Sequence, residues 1–251
     1  MIKRILKWLA IILIILVVGL VVAVKVMDEP IPASVEGPAA EALATEVLNN
    51  IKHDQLADTK WVSWAFPGNH KYVWHVPSNH AQISYGSTVV KMDLDEQTGV
   101  ASRKGEPLNG DDLANAIARA WSFWCNDSWW LIAPHKIMDP GTTRSVVDVS
   151  ADHPGKRGLL VQYESGGVTP GDAYLWLVDA DGMPTGYEMW TAIIPIGGIF
   201  ASWDKYEALH SGALVSTEHD MGILKTGLGP LRSGDTYNDV GLDEDIFASM
   251  R

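Results

Sequence analysis

The chain reads as a mainly β protein, an antiparallel meander with a few packing helices, set behind one transmembrane helix. Three observations predict this. Residues Ile5 to Val24 form an unbroken apolar run except for Lys7. From Lys60 to Arg103, and again from Thr143 onward, short runs rich in Val, Trp, Tyr and Ile are punctuated by turn residues, too closely for crossover helices to fit between parallel strands. Beyond the anchor, apolar residues at helical spacing occur in only two stretches.

The apolar run is long enough to cross ~30 Å of hydrocarbon at 1.5 Å per residue, and Lys3 and Arg4 ahead of it favour a cytoplasmic N-terminus. A cleaved secretory signal would end in a small-x-small site, whereas this run ends Val-Val-Ala-Val-Lys-Val-Met-Asp, and a lipoprotein signal would need a cysteine at the cut, where there is none. Residues 1–27 are therefore expected to be a retained signal anchor in a bacterial inner membrane. Residues 38–251 then form one extracytoplasmic, periplasmic domain, joined to the anchor by an extended linker at 28–37, where Pro30 and Pro32 sit.

Each element of the domain has a local reason. Pro38 suits a first helical residue, and Ala40, Leu43, Val47 and Ile51 follow on one stripe to about His53. Strands are expected at KWVSWAF, HKYVWHV, AQISYG, TVVKMDLD and GVASRK, split by Pro67-Gly68-Asn69, Pro77-Ser78-Asn79 and Gln97-Thr98-Gly99. A helix from about Asp111 to Asn126 carries Leu113, Ile117, Trp121 and Trp124 on one stripe, with Asn109 as N-cap. Strands resume at TRSVVDVS, GLLVQYE, AYLWLVD, PTGYEMWTAI, IFASWDKY and ALVSTEHD, and Asp179-Ala180-Asp181-Gly182 makes a hairpin turn. AYLWLVD is apolar at every position but the last, so both faces of that strand must be covered, which a single curved sheet achieves if helices or a ligand fill its concave side. The Gly- and Asp-rich tail after Met221 has weak strand or loop character.

Composition narrows the function. The whole chain has a formal charge of −12, and because the anchor carries Lys3, Arg4, Lys7 and Lys25 and no acid, the outer part carries −16. Such a domain repels phosphate backbones and anionic lipid headgroups, which argues against nucleic acid as a partner and against a domain lying flat on the membrane; the plainer reading is that the charge keeps the domain soluble. With Cys125 as the single cysteine no internal disulfide can form, and in its aromatic helical setting it reads as a buried small apolar residue. Eleven tryptophans are many for this length, and only Trp8 belongs to the anchor. The other ten fit two arrangements, a large filled core or the walls of an apolar cavity.

Two stretches bear on that choice. Asn126 to Thr142 reads NDSWWLIAPHKIMDPGT, and Ser165 to Trp190 reads SGGVTPGDAYLWLVDADGMPTGYEMW. A helix ending in Asn-Asp-x-x-Trp, a Pro-x-Lys-x-x-Asp-Pro-Gly turn, and a Pro-Gly-Asp turn feeding a Trp-bearing hairpin together resemble the LolA-like superfamily of outer-membrane lipoprotein carriers and sorting factors, over about Trp61 to His219. The resemblance implies a half-open antiparallel β-barrel with an apolar concave face, lid-like helices and no catalytic group. Those carriers are soluble shuttles, whereas this domain is tethered, so handover or sensing of a lipid at its own membrane replaces long-range transport.

Catalytic chemistry finds little support. His70, His75 and His80 recur every five residues, an odd offset that alternates faces of a strand, so no metal site is expected. His153 and His219 each neighbour an aspartate and read as solvated. Ser165 precedes two glycines without an assignable histidine, and no nucleophile elbow, phosphate loop, dinucleotide fingerprint or zinc-protease motif occurs. No cofactor is implied. The run Ala192 to Ala201 is too short to span a membrane and reads as two strand ends joined by a turn, or as an apolar lip at the mouth of a cavity.

The expected function is non-catalytic binding of a hydrophobic or lipid-like ligand. The residues expected to line the site are Trp64, Trp74, Trp176 and Trp190 on one face, with Trp121 and Trp124 closing it from the helix. The alternatives are a scaffold that contacts an envelope protein partner, which needs a filled core and an exposed patch, and a hydrolase, which needs titratable residues gathered in the pocket.

Overall fold

The computed structural model describes residues 2–222 and 224–250; Met1, Ile223 and Arg251, which the expected anchor and tail include, lie outside them. Helix α1 (Ile2–Met27) stands clear of the rest. Its stretch Leu6–Met27 has a mean hydropathy of 3.2, with none of its apolar window buried among the described residues, and by length and composition it is able to cross a membrane.

Residues 28–37 are extended, as expected, and they lie on the domain rather than hanging free. Val35–Glu36 forms strand β1, which pairs with Val146 and Ser145. Helix α2 (Pro38–Asn50) follows with Pro38 in its first turn, and Ala40, Leu43, Ala44 and Val47 buried at spacings of three and four. Its outer face is tied to strand residues by Glu46, which takes two bonds from Arg157 at 2.7 and 2.8 Å, and by Glu41, which takes two from Arg144 Nε at 2.9 and 3.0 Å.

The expected meander β2 (Trp61–Phe66), β3 (His70–His75), β4 (His80–Tyr85), β5 (Thr88–Asp93) and β6 (Thr98–Arg103) forms in order. The short β7 (Glu106–Pro107) extends it, and β17 (Arg232–Gly234), from the tail, adds to its other edge. This seven-stranded antiparallel sheet ends where helix α3 (Gly110–Ile132) begins. The strands after it, β8 (Thr142–Val147), β9 (Arg157–Tyr163), β10 (Ala173–Val178), β11 (Pro184–Trp190) and β12 (Ile199–Ser202), form a second antiparallel sheet of six with β1 at its edge. Two small hairpins complete the set, β13 (Tyr206–Ala208) with β14 (Leu214–Ser216), and β15 (Glu218–Asp220) with β16 (Lys225–Gly227). The single curved sheet is thus divided at α3, and among the described residues no strand pair joins the two large sheets and no barrel closes.

The hairpin turn at 179–182 is where it was expected. Gly182 has φ +83 and donates to the Asp179 carbonyl, whose carboxylate also accepts from the Asp181 and Met183 amides. All six residues of β10 are buried, so both its faces are covered. Tyr174, Trp176 and Val178 pack under α2 with Tyr187 and Trp203, and Ala173, Leu175 and Leu177 pack with Leu160 and Val149 behind.

Helix α3 runs about six residues beyond its expected end and turns a different stripe inward. Asn126, Asp127 and Ser128 favour a stop in isolation because their side chains compete for backbone partners. Here the Asp127 carboxylate is taken up by His70, Tyr72 and Asn126, and Ser128 Oγ donates back to the Trp124 carbonyl at 2.6 Å. Tertiary contacts thereby override local preference. The buried stripe is Ala116, Ala120, Trp124, Asp127 and Leu131, while Leu113, Ile117 and Trp121 flank it half-buried. The two alanines let the helix approach the first sheet closely. Asn109 does occupy the N-cap position, without a side-chain cap bond.

His219 is buried rather than solvated. Its ring lies between the Ser202 carbonyl at 3.0 Å from Nδ1 and the Trp130 carbonyl at 2.6 Å from Nε2, bridging β15 to the last turn of α3. His153 is half-buried, 2.7 Å from Glu188.

Candidate ligand-binding cleft

Helix α3 belongs to both halves of the molecule. Trp124 packs on the first sheet, Trp129 on the second, and Trp130 touches both cores. A cleft of ≈ 810 Å³ opens beside the helix. Phe66, Trp74 and Leu94 form one wall. Trp121, Trp124, Trp129 and Trp130 of α3 form the floor, and Tyr163, Tyr174, Tyr187 and Met189 of the second sheet form the opposite wall. Its border is made by the loops 165–169 and 191–194 together with the exposed Asp95, Ser122 and Asn126 and the partly exposed ion pair Lys136–Asp139.

The expected residues divide. Trp74, Trp121 and Trp124 line the cleft. Trp74 meets Trp124 at 5.6 Å nearly edge-on and holds its own N–H on Asn79 Oδ1 at 3.2 Å. Trp64 shares their face of the first sheet but lies beneath it all, stacked on Tyr72 at 4.8 Å and 3% exposed. Trp176 is 1% exposed and wedged between Tyr187 and Trp203 at 4.9 and 5.4 Å, a filled-core residue of the second sheet. Trp190 lies on the opposite face from Trp176. The register pairs Trp176 with Tyr187, so Tyr187 and Met189 share its face while Trp190 turns away, its N–H donated to the Glu29 carbonyl at 2.7 Å. Trp64 and Trp74 do share one face of the first sheet; the placement of Trp176 and Trp190 with them is corrected, since both belong to the second sheet and strand alternation puts them on opposite faces of it.

The cleft also holds polar groups that the sequence did not place at the site. Asp127, 1% exposed, accepts from His70 Nδ1 at 2.7 Å, from the Tyr72 hydroxyl, and from Asn126 Nδ2 at 2.8 Å. Burial first, then the Asp127 charge, holds the Tyr72 phenol far above its ordinary pKa, so it stays a donor. The same carboxylate makes Nδ1 the protonated nitrogen of His70 and leaves Nε2 without a hydrogen bond among the described residues. Fifty-seven residues separate the pair, so no local motif joins them; the one signal is the run of poor helix formers at Asn126 to Ser128.

Deeper in, His53 and His135 face each other with their Nδ1 atoms 3.2 Å apart. His135 Nε2 lies 2.9 Å from the Leu214 carbonyl, and burial pulls the pKa of His135 down to about 4, so the ring is neutral with its proton on Nε2. Its Nδ1 is then an acceptor, and His53 must donate. Burial pushes the Cys125 thiol on the cleft wall up to about 11, leaving it a thiol rather than a nucleophilic thiolate at neutral pH. The Thr191 hydroxyl is a cleft-lining polar atom buried without a hydrogen-bond partner among the described residues, whereas the Trp129 N–H and the Tyr187 hydroxyl interact with each other.

Ser165 sits on the rim, in hydrogen bond with no histidine among the described residues. His75 and His80 are direct cross-strand neighbours, but His75 bonds Ser78 at 2.7 Å and His80 pairs with Asp93 at 3.4 Å, both apart from His70. Among the described residues no group of three His, Cys, Asp or Glu side chains is placed to hold a metal ion. No protein-family model matches the chain, and a search of curated proteins gives no match either.

Proposed function

We propose that this is a membrane-anchored, extracytoplasmic binding protein for a hydrophobic or lipid-like ligand, with α1 as a single-pass anchor in a bacterial inner membrane and the domain in the periplasm. The observation that carries the reading is the cleft beside α3: ≈ 810 Å³, within the range of small-molecule sites, with Trp, Tyr, Phe and Met on its floor and walls and polar and charged side chains such as His70, Asp127, Lys136 and Asp139 also on its lining. An acyl chain would lie along the aromatic floor, and an ester or hydroxyl would meet the Thr191 hydroxyl. The half-open barrel of the LolA-like carriers is the arrangement this reading favours, with the two sheets as its flanks and α3 as the helix in its opening. A fluorescent fatty acid should bind the full chain in detergent saturably and be displaced by a membrane lipid extract. Absence of saturable binding would turn the reading toward a scaffold for an envelope protein.

The His70–Asp127 pair favours a second reading, a hydrolase in which His70 Nε2 activates water against a bound acyl ester. Turnover of acyl p-nitrophenyl esters that is abolished in His70→Asn, with binding of the fatty acid intact, would select it.

A further inference from the structure

We infer that the loops 165–169 and 191–194 on the border of the cleft rest on the bilayer surface beside the anchor, so that the cleft opens onto the membrane and takes its ligand from the adjoining leaflet. The contact stands on the geometry below; the route of the ligand rests on the binding function proposed above.

The chain leaving the anchor is hydrogen-bonded to the domain. One residue past the end of α1, Asp28 Oδ1 accepts from the Gly197 amide at 2.9 Å, the Glu29 carbonyl accepts from Trp190 Nε1 at 2.7 Å, and the Glu29 amide donates to the Gly197 carbonyl at 3.4 Å. Gly197 is required there, because a Cβ would overlap both the Trp190 indole and the Glu29 carbonyl. The apolar span of α1 reaches Met27, so this clasp sits at the level where hydrocarbon gives way to headgroups, the level that tryptophan side chains such as Trp190 favour. Ile193 is four residues from Gly197 and hence within ~14 Å of the clasp along even a fully extended chain.

Charge and exposure single out the same face. In a domain of formal charge −16, no charged residue occurs from Met189 to Trp203, nor from Ser165 to Gly171, the two segments that supply the loops on the cleft's border; the charged residues of that border are Asp95, Lys136 and Asp139, outside these segments. Within them Ile193 is 69% and Val168 46% exposed, and Ala192 and Pro195 are exposed too. Apolar side chains standing in solvent on uncharged loops, next to the point where a transmembrane helix enters, fit a lipid surface. The acidic remainder keeps the other faces away from anionic headgroups.

The test uses the full chain in nanodiscs containing lipids brominated on their acyl chains. Ala192→Cys and Pro195→Cys, each in a Cys125→Ala background, are labelled with an environment-sensitive fluorophore, with Lys104→Cys in an exposed turn of the first sheet as control. The inference expects blue-shifted emission and bromolipid quenching at 192 and 195 and neither at 104. Emission at all three sites equally open to an aqueous quencher would overturn it. Fatty-acid binding by the unlabelled chain in detergent is read separately. Binding without quenching removes the membrane contact and keeps the binding function, whereas quenching without binding keeps the contact and removes the route.

Discussion

The two tryptophan-rich regions of this domain use the same residue for opposite ends. Around Trp176, rings from β10, β11 and the segment after β12 interlock at 4.9 to 5.6 Å, and Trp176, Tyr187 and Trp203 have at most 1% of their surface exposed. Around Trp121, on α3, the rings stand half-buried beside open space. The difference lies in what covers the sheet. Helix α2 presents Ala40 and Ala44 to the second sheet and settles onto it, so large side chains fill the layer around Trp176, and Tyr174, Tyr187 and Met189 stand where that layer borders the cleft. Helix α3 packs on both sheets, and its aromatic face forms the floor of a cleft. A tryptophan's role here follows from the path of the helix above it.

The sharpest way to break this comparison is to truncate one ring in each region. Trp176→Ala should destabilise the protein by ~3–5 kcal/mol through lost burial and an unfilled cavity. Trp121→Ala, removing a ring already partly in solvent, should stay under about 1.5 kcal/mol. Denaturant unfolding of the full chain in detergent measures both. Equal losses would mean that the cleft is as tightly packed as the core.

A smaller effect sharpens the contrast through pH. His135, between α3 and the β14 hairpin, is neutral in the fold with its pKa near 4, burial being the main cause. In the unfolded chain it titrates at its ordinary value of 6.5. As pH falls below 6.5 the unfolded state takes up a proton that the folded state refuses, so stability declines until about pH 4 and is unaffected by this group above 6.5. The loss is at most ~3 kcal/mol. Burial lowers the pKa of His219 as well, against the pull of the Ser202 and Trp130 carbonyls, and adds to the same acid limb. Unfolding followed from pH 7 to pH 4 should show the limb, and His135→Gln should flatten it. A profile unchanged in that variant would remove His135 from the account.

The strands were readable because each carries its own boundary: turn residues such as Pro67-Gly68-Asn69 mark the ends, and a ladder of hairpins needs no long-range information. Helix α2 was readable from Pro38 and its stripe. The division into two sheets was not, because nothing local says that β6 and β8 fail to lie in one sheet across α3. The far end of α3 was hidden for a related reason. Asp127 and Ser128 look like a stop until His70 and Tyr72, more than fifty residues earlier, supply the partners that make Asp127 tolerable in a helix. Of the six tryptophans expected at the site, Trp74, Trp121 and Trp124 line the cleft because they are close to one helix–sheet contact. The assignment of Trp176 and Trp190 depended on register, and a strand that is apolar on both faces leaves its register unspecified.

The central claim is that the space beside α3 is a binding site while the space around Trp176 is only core. Equilibrium binding of a fluorescent fatty acid to the full chain, to Trp121→Ala and to Trp176→Ala, each under conditions where it is shown to be folded, tests this directly. The account predicts affinity weakened roughly tenfold in Trp121→Ala, corresponding to ~1.4 kcal/mol, and near the parent value in folded Trp176→Ala. Parent-like affinity in Trp121→Ala, or a larger loss in Trp176→Ala than in Trp121→Ala, would contradict it.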